Sequence, residues 1–136
     1  ARRFELPVIL HVRRAVEPVI RLLRRIEVPG GIAHAFNGSR QQADVLIGMG
    51  FKLGFGGAMT FAGSTRIRSL ASTLPLSSLV LETDAPDIPP AWANGARTEP
   101  SDLPAFAEQL ADLRGLPTEV VASATTRNAE AVLRLA

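Results

Sequence analysis

The stretch Leu79-Val80-Leu81-Glu82-Thr83-Asp84-Ala85-Pro86 decides how the chain reads. An aliphatic run meets two acids and stops at a proline. Side chains alternate along a strand, so Val80, Glu82 and Asp84 fall on one face and Leu81 and Thr83 on the other. Two carboxylates thus stand at the C-terminal end of an otherwise apolar strand. In parallel α/β folds that end is where side chains meet substrate.

Three more short apolar runs lie upstream. Pro7–Val12 (PVILHV) and Ile32–Phe36 (IAHAF) have the composition of buried strands. Phe51–Gly57 is a third strand, loosened by Gly54, Gly56 and Gly57. Between the runs the apolar period changes to that of a helix. Val16, Val19, Ile20, Leu22, Leu23 and Ile26 mark one face of a helix over Ala15–Ile26. Ser39 is placed to cap a helix running to Gly48 or Gly50, and Ser64 begins another that Pro75 ends. Residues 1–5 read as the tail of a helix. After Asp84 comes a loop, 86–100, with Trp92. Helices follow over 102–114 and 118–133, the last broken near Thr125–Asn128, where Thr-Thr-Arg-Asn offers a new cap. Strand starts fall about 20 to 28 residues apart, the scale of repeated βαβ units. The expectation is a parallel sheet with helices outside. Four strands are half of a (β/α)8 barrel, whose usual length is roughly 250 residues. The 136 residues therefore read as a single partial domain, with an open edge on each side of its sheet.

Composition excludes several classes. The hydrophobic fraction of 46% is enough for a core, so disorder is excluded. Without cysteine there is no disulfide framework, thiol nucleophile or cysteine zinc site. No apolar run is long enough to span a bilayer and none follows the N-terminus as a signal peptide core would; no membrane partner and a cytoplasmic location are the expectation. The high isoelectric point reflects a net charge of only +2 in a chain without Tyr or Cys, whose cations are almost all Arg. It does not describe a basic nucleic-acid stripe.

The chemistry is carried by strand ends. The chain has two histidines, and each closes an apolar run: His11 in PVILH, His34 in GIAH. Asp84 closes a third. Nitrogen and oxygen ligands converging from several strand ends at one rim suit a divalent ion such as zinc, magnesium or manganese. Such an ion acidifies water for attack on a phosphate or carbonyl. Other readings stand beside this one. A strand-end histidine is more often a hydrogen-bonded structural residue, Asp84 before Ala85-Pro86 suits a turn, and Glu82 suits a buried acid paired with an arginine. Trp92 suits packing of its loop more than stacking on a base.

Together these motifs resemble the TatD family of metal-dependent deoxyribonucleases. LPVILHVRRA, AHAFNGS, GFKLGFGGAMTF, ETDAP and ATTRNAEAVL each resemble a family segment, and the likeness runs almost the length of the chain. The resemblance implies the C-terminal half, the last four β/α units, of a TIM-type (β/α)8 barrel of the metal-dependent hydrolase superfamily. It implies a metal site of His11, His34 and Asp84 holding one or two ions. Asp84 and Glu82 are the catalytic candidates, and Arg13 and Asn37 the candidates for substrate binding. The implied substrate is DNA or another phosphoester. The family's opening His-x-His strand and bridging glutamate belong to the other half of its barrel, so this stretch alone is expected to be inactive and to seek that half or to self-associate. Thr98-Glu99-Pro100 stands where members carry an Asn two residues before a proline, which weakens the case for substrate contacts by that loop. The alternatives are an amidohydrolase-like barrel acting on a small ester or amide, and a non-catalytic remnant.

Overall fold

The computed structural model describes residues 1–135. Four strands, β1 (Val8–His11), β2 (Gly31–His34), β3 (Phe51–Phe55) and β4 (Leu79–Leu81), form one parallel sheet in sequential order. Each crossover carries a helix: α1 (Val16–Arg25), α2 (Arg40–Gly48) and α3 (Thr65–Thr73). α4 (Leu103–Arg114) and α5 (Thr118–Leu133) follow the long loop. Sequential order with helical crossovers is the repeated βαβ pattern expected from the sequence.

Strand register sorts the two faces. Ile9 lies opposite Ile32 and Ile32 opposite Lys52, while His11 lies opposite His34. The alternate positions, Ala33, Phe51, Leu53, Phe55 and Leu79, are buried against Ile20, Leu46, Leu70, Leu74, Phe106, Leu110 and Val121 of the helices. Burying each large side chain in this layer contributes about 1.5–3 kcal/mol. The opposite face is open at β1, where Ile9 remains 64% exposed. At β4 it is closed by α5: Val80 is buried, and Ile9, Ile32, Val80, Ala129 and Leu133 line one groove.

Local rules account for most of the element ends. Ser39 accepts from Gln42 N while the Gln42 side chain accepts from Ser39 N, a reciprocal cap on α2. Pro75 stops α3 and cannot donate to Ala71 O; Arg114 Nη1 of α4 donates there instead. Burial lowers the pKa of that guanidinium.

Two expectations are corrected. α5 does not break at Thr125–Asn128. Thr125 Oγ1 donates back to Val121 O at 2.9 Å, and Asn128 Nδ2 donates to Leu76 O and Leu79 O at 2.8 and 2.7 Å. The polar side chains that suggested a cap are used within the helix or across to β4. The fourth strand also ends early, at Leu81 rather than Asp84. Glu82 N still donates to Phe55 O, but Asp87 N donates to Asp84 O at 2.7 Å and the chain turns away from the sheet. The rest of the loop is tied down by Thr98. It is buried, its amide donates to Pro86 O, and its hydroxyl donates to Asp102 Oδ2 at 2.9 Å. Among the described residues no helix is long and apolar enough to cross a membrane.

Candidate metal centre

β1 and β2 deliver their histidines side by side because His11 and His34 are register partners in adjacent parallel strands. Their rings lie 4.9 Å apart, and His11 Nδ1 is 2.7 Å from His34 Nε2. At that separation one nitrogen donates its proton to the lone pair of the other, so the two nitrogens face the same place. Asp84 arrives from the turn after β4. One ligand atom from each of His11, His34 and Asp84 lies within 4.8 Å of the others. His11 is exposed, and His34 and Asp84 are half-buried. The three residues singled out in the sequence therefore come together at the C-terminal end of the sheet.

Glu82 stands behind them. Its Oε1 accepts from Ala35 N at 2.7 Å and lies 3.3 Å from His34 Nδ1. Its partners are thus a histidine and a backbone amide, not an arginine. Ala35 adopts a left-handed backbone (φ 47°), costing roughly 1–2 kcal/mol, and in that conformation its amide meets the carboxylate. Burial pushes the Glu82 carboxyl above the usual carboxylate range; His34 and the Ala35 amide pull it back, and Asp84 adds to the rise. Gly54 of β3 and Gly56 just after it make room for Glu82. A Cβ on Gly54 would overlap Glu82 Oε2, and one on Gly56 would overlap Glu82 O. Gly54, expected to loosen the strand, instead lets the carboxylate cross it, and Gly56 admits the Glu82 backbone. Their spacing of two, opposite an acidic strand end, is the signal that could have found this packing.

The substrate-side candidates lie apart from this cluster. Arg13 and Asn37 both line an open groove of about 780 Å³ that begins at His11. Arg66, in the first turn of α3, enters the same groove and donates to Asn37 Oδ1 from Nε at 3.2 Å and from Nη2 at 2.8 Å. Sequence reasoning missed Arg66, because nothing around it marks it apart from the other arginines of helix surfaces. Trp92 leans on Phe106 with ring centroids 5.9 Å apart and remains 44% exposed, so its packing onto α4 is part of how the loop is held.

Two imidazoles and a carboxylate, with a second carboxylate holding the outer nitrogen of one imidazole, form a donor set that fits a divalent ion. The carboxylate behind His34 fixes which of its nitrogens carries the proton and leaves Nε2 directed at the cluster.

Comparison with known proteins agrees with this geometry. The chain is 39% identical over 129 residues to the uncharacterized metal-dependent hydrolase YjjV of Escherichia coli K12, covering 94% of this chain and 50% of that protein. It is 38% identical to the uncharacterized metal-dependent hydrolase YabD of Bacillus subtilis, covering 99% and 54%. It is 32% identical to the 3'-5' ssDNA/RNA exonuclease TatD of a Rahnella strain, again covering 99% and 54%. The crystal structure of YjjV superposes with a TM-score of 0.92 at 36% identity, over 98% of this chain and 52% of that one. A TatD family hydrolase from Entamoeba histolytica, at 15% identity and a TM-score of 0.78, shares the fold. The chain spans about half the length of the curated relatives it matches. The model of the TatD related DNase family matches residues 1–134, and the chain belongs to that family.

Proposed function

We propose that this chain forms the C-terminal half of a TIM-type barrel hydrolase and carries part of a metal centre that cleaves phosphodiester bonds of DNA. The observation that supports this reading most is the meeting of His11, His34 and Asp84 from three separate strand ends. His11 Nδ1, His34 Nε2 and a carboxylate oxygen of Asp84 would hold the ion, which is zinc, magnesium or manganese by donor type. A divalent ion at this place supplies Lewis acidity to water and to a phosphoryl oxygen. Asp84 also takes the proton of the attacking water. Glu82 is a positioning residue: it holds the His34 ring through Nδ1 and keeps Nε2 aimed inward. Arg13 lies along the groove leading away from the cluster, where a strand of nucleic acid passes.

The sheet supports the partial-barrel reading. Among the described residues β1 and β4 each pair with one strand, and the face carrying Ile9, His11 and Ile32 is the one a closed barrel turns inward. A first half bearing the His-x-His ligands and the bridging glutamate would complete both the wall and the ligand set. In a chain carrying both halves, Asp84→Asn is expected to lower turnover of a labelled single-stranded oligonucleotide by about 10²–10⁴-fold while the circular dichroism spectrum is unchanged. Near-normal metal-dependent turnover in that variant would remove Asp84 from the chemistry. Hydrolysis of small esters without any action on the oligonucleotide would point instead to an amidohydrolase-like reaction.

A further inference from the structure

The groove that starts at His11 contains a polar pair the metal centre does not use. Asn37 follows β2, and Arg66 opens α3; they are 29 residues apart in sequence and meet only through the fold. Asn37 gives its carbonyl oxygen to two N–H groups of the guanidinium. That holds the Arg66 plane in one orientation and uses the acceptor of the pair. What remains are donors, the Asn37 amide N–H groups and the Arg66 Nη1 edge, which meet no protein acceptor among the described residues. Among the described residues Arg66 makes no ion pair; the pairs present are His34–Glu82 and Arg40–Asp44. The groove also receives Arg13 and Arg14, likewise without ion pairs among the described residues, against a single acid, Glu17.

A pre-oriented guanidinium with an amide donor beside it is suited to an anion with several oxygens. Arg is the side chain that matches phosphate with a planar fork, and a fork fixed by a neighbour loses less freedom on binding. Asn37 orients Arg66 without neutralising it, as a carboxylate at that place would. A structural contact between α3 and the β2–α2 loop would be as well served by aspartate; a phosphate site would not.

We propose that Arg66 and Asn37 form a subsite for a backbone phosphate of a nucleic-acid strand flanking the bond that is cut. This rests on the reading of the site as one that acts on phosphodiesters. It goes further in assigning Arg66, and in giving Asn37 the task of orienting it. The pair lies in the groove rather than in the His11–His34–Asp84 cluster, so it acts on the length of strand bound and not on the reacting atoms.

The test is fluorescence anisotropy of a labelled oligothymidylate with the purified protein in the absence of added metal, so that binding is read without hydrolysis. Arg66→Ala is expected to weaken binding about tenfold and to reduce the slope of log K against log salt by about 0.7, the loss of one phosphate contact. Asn37→Asp is expected to weaken binding to a similar degree while the thermal midpoint is unchanged or raised, because the variant forms an ion pair with Arg66. An uncharged methylphosphonate analogue of the same oligomer should not distinguish either variant from the parent. Unchanged oligothymidylate affinity in both variants overturns the subsite. So does a loss in Asn37→Asp that comes with a lowered thermal midpoint, which would make the pair a structural strut. Oligonucleotide binding that depends on Arg66, in a metal-loaded two-half protein that leaves the oligomer uncut, would retain the subsite and remove the hydrolytic reading.

Discussion

At the scale of single residues the most informative side chain is Glu82, which sits against His34 Nδ1 and the Ala35 amide. A carboxylate behind an imidazole fixes the tautomer and raises the basicity of the inward nitrogen, and removing such a partner typically costs 10–100-fold in metal affinity. Glu82→Gln is therefore expected to weaken zinc binding by that factor in isothermal calorimetry, with the melting temperature little changed. Equal affinity in the variant and the parent would show that His34 needs no such support. Gly54→Ala tests the same contact from the other side. Its Cβ would displace Glu82 Oε2, so it should weaken the metal site much as Glu82→Gln does. The meeting of His11, His34 and Asp84 was legible because histidine and aspartate at the ends of apolar runs are visible in a linear sequence. Arg66 was not. Its place in the groove depends on where α3 starts relative to the β2–α2 loop, and spacing along the chain does not encode that.

At the scale of elements, the strands and the first three helices follow from period and punctuation, as Ser39, Pro75 and the apolar runs illustrate. The failures came where polar side chains found distant partners. Thr125 and Asn128 look like the start of a new helix, but one bonds within α5 and the other holds Leu76 and Leu79. Side-chain donors reaching carbonyls some 50 residues away leave no local trace. Asn128→Ala is expected to destabilise the fold by about 1–3 kcal/mol, since it strips a donor from two backbone carbonyls. Urea denaturation should show the shift in midpoint without a change in slope, and a value near zero would mean that α5 is held by its apolar face alone. The early end of β4 has a similar origin, because the Asp84–Asp87 turn is set by the loop and not by strand alternation.

At the scale of the whole molecule, an open parallel sheet with Ile9 exposed on its inner face is a surface that asks for a partner. On the reading argued above, that partner is the other half of the barrel, which would also bring the remaining metal ligands. This chain by itself is expected to run larger than a monomer in light scattering at high concentration and to show no measurable hydrolysis of an oligonucleotide. A monodisperse monomer with metal-dependent activity abolished by His34→Ala would mean that these strands suffice without the rest of a barrel. The proposed metal centre requires His11, His34 and Asp84 to share one ion. The most direct measurement is anomalous diffraction from crystals of this chain soaked in zinc or manganese at millimolar concentration. A peak is expected in contact with His11 Nδ1, His34 Nε2 and a carboxylate oxygen of Asp84. A peak bound elsewhere, or none at this cluster while other sites fill, would contradict it.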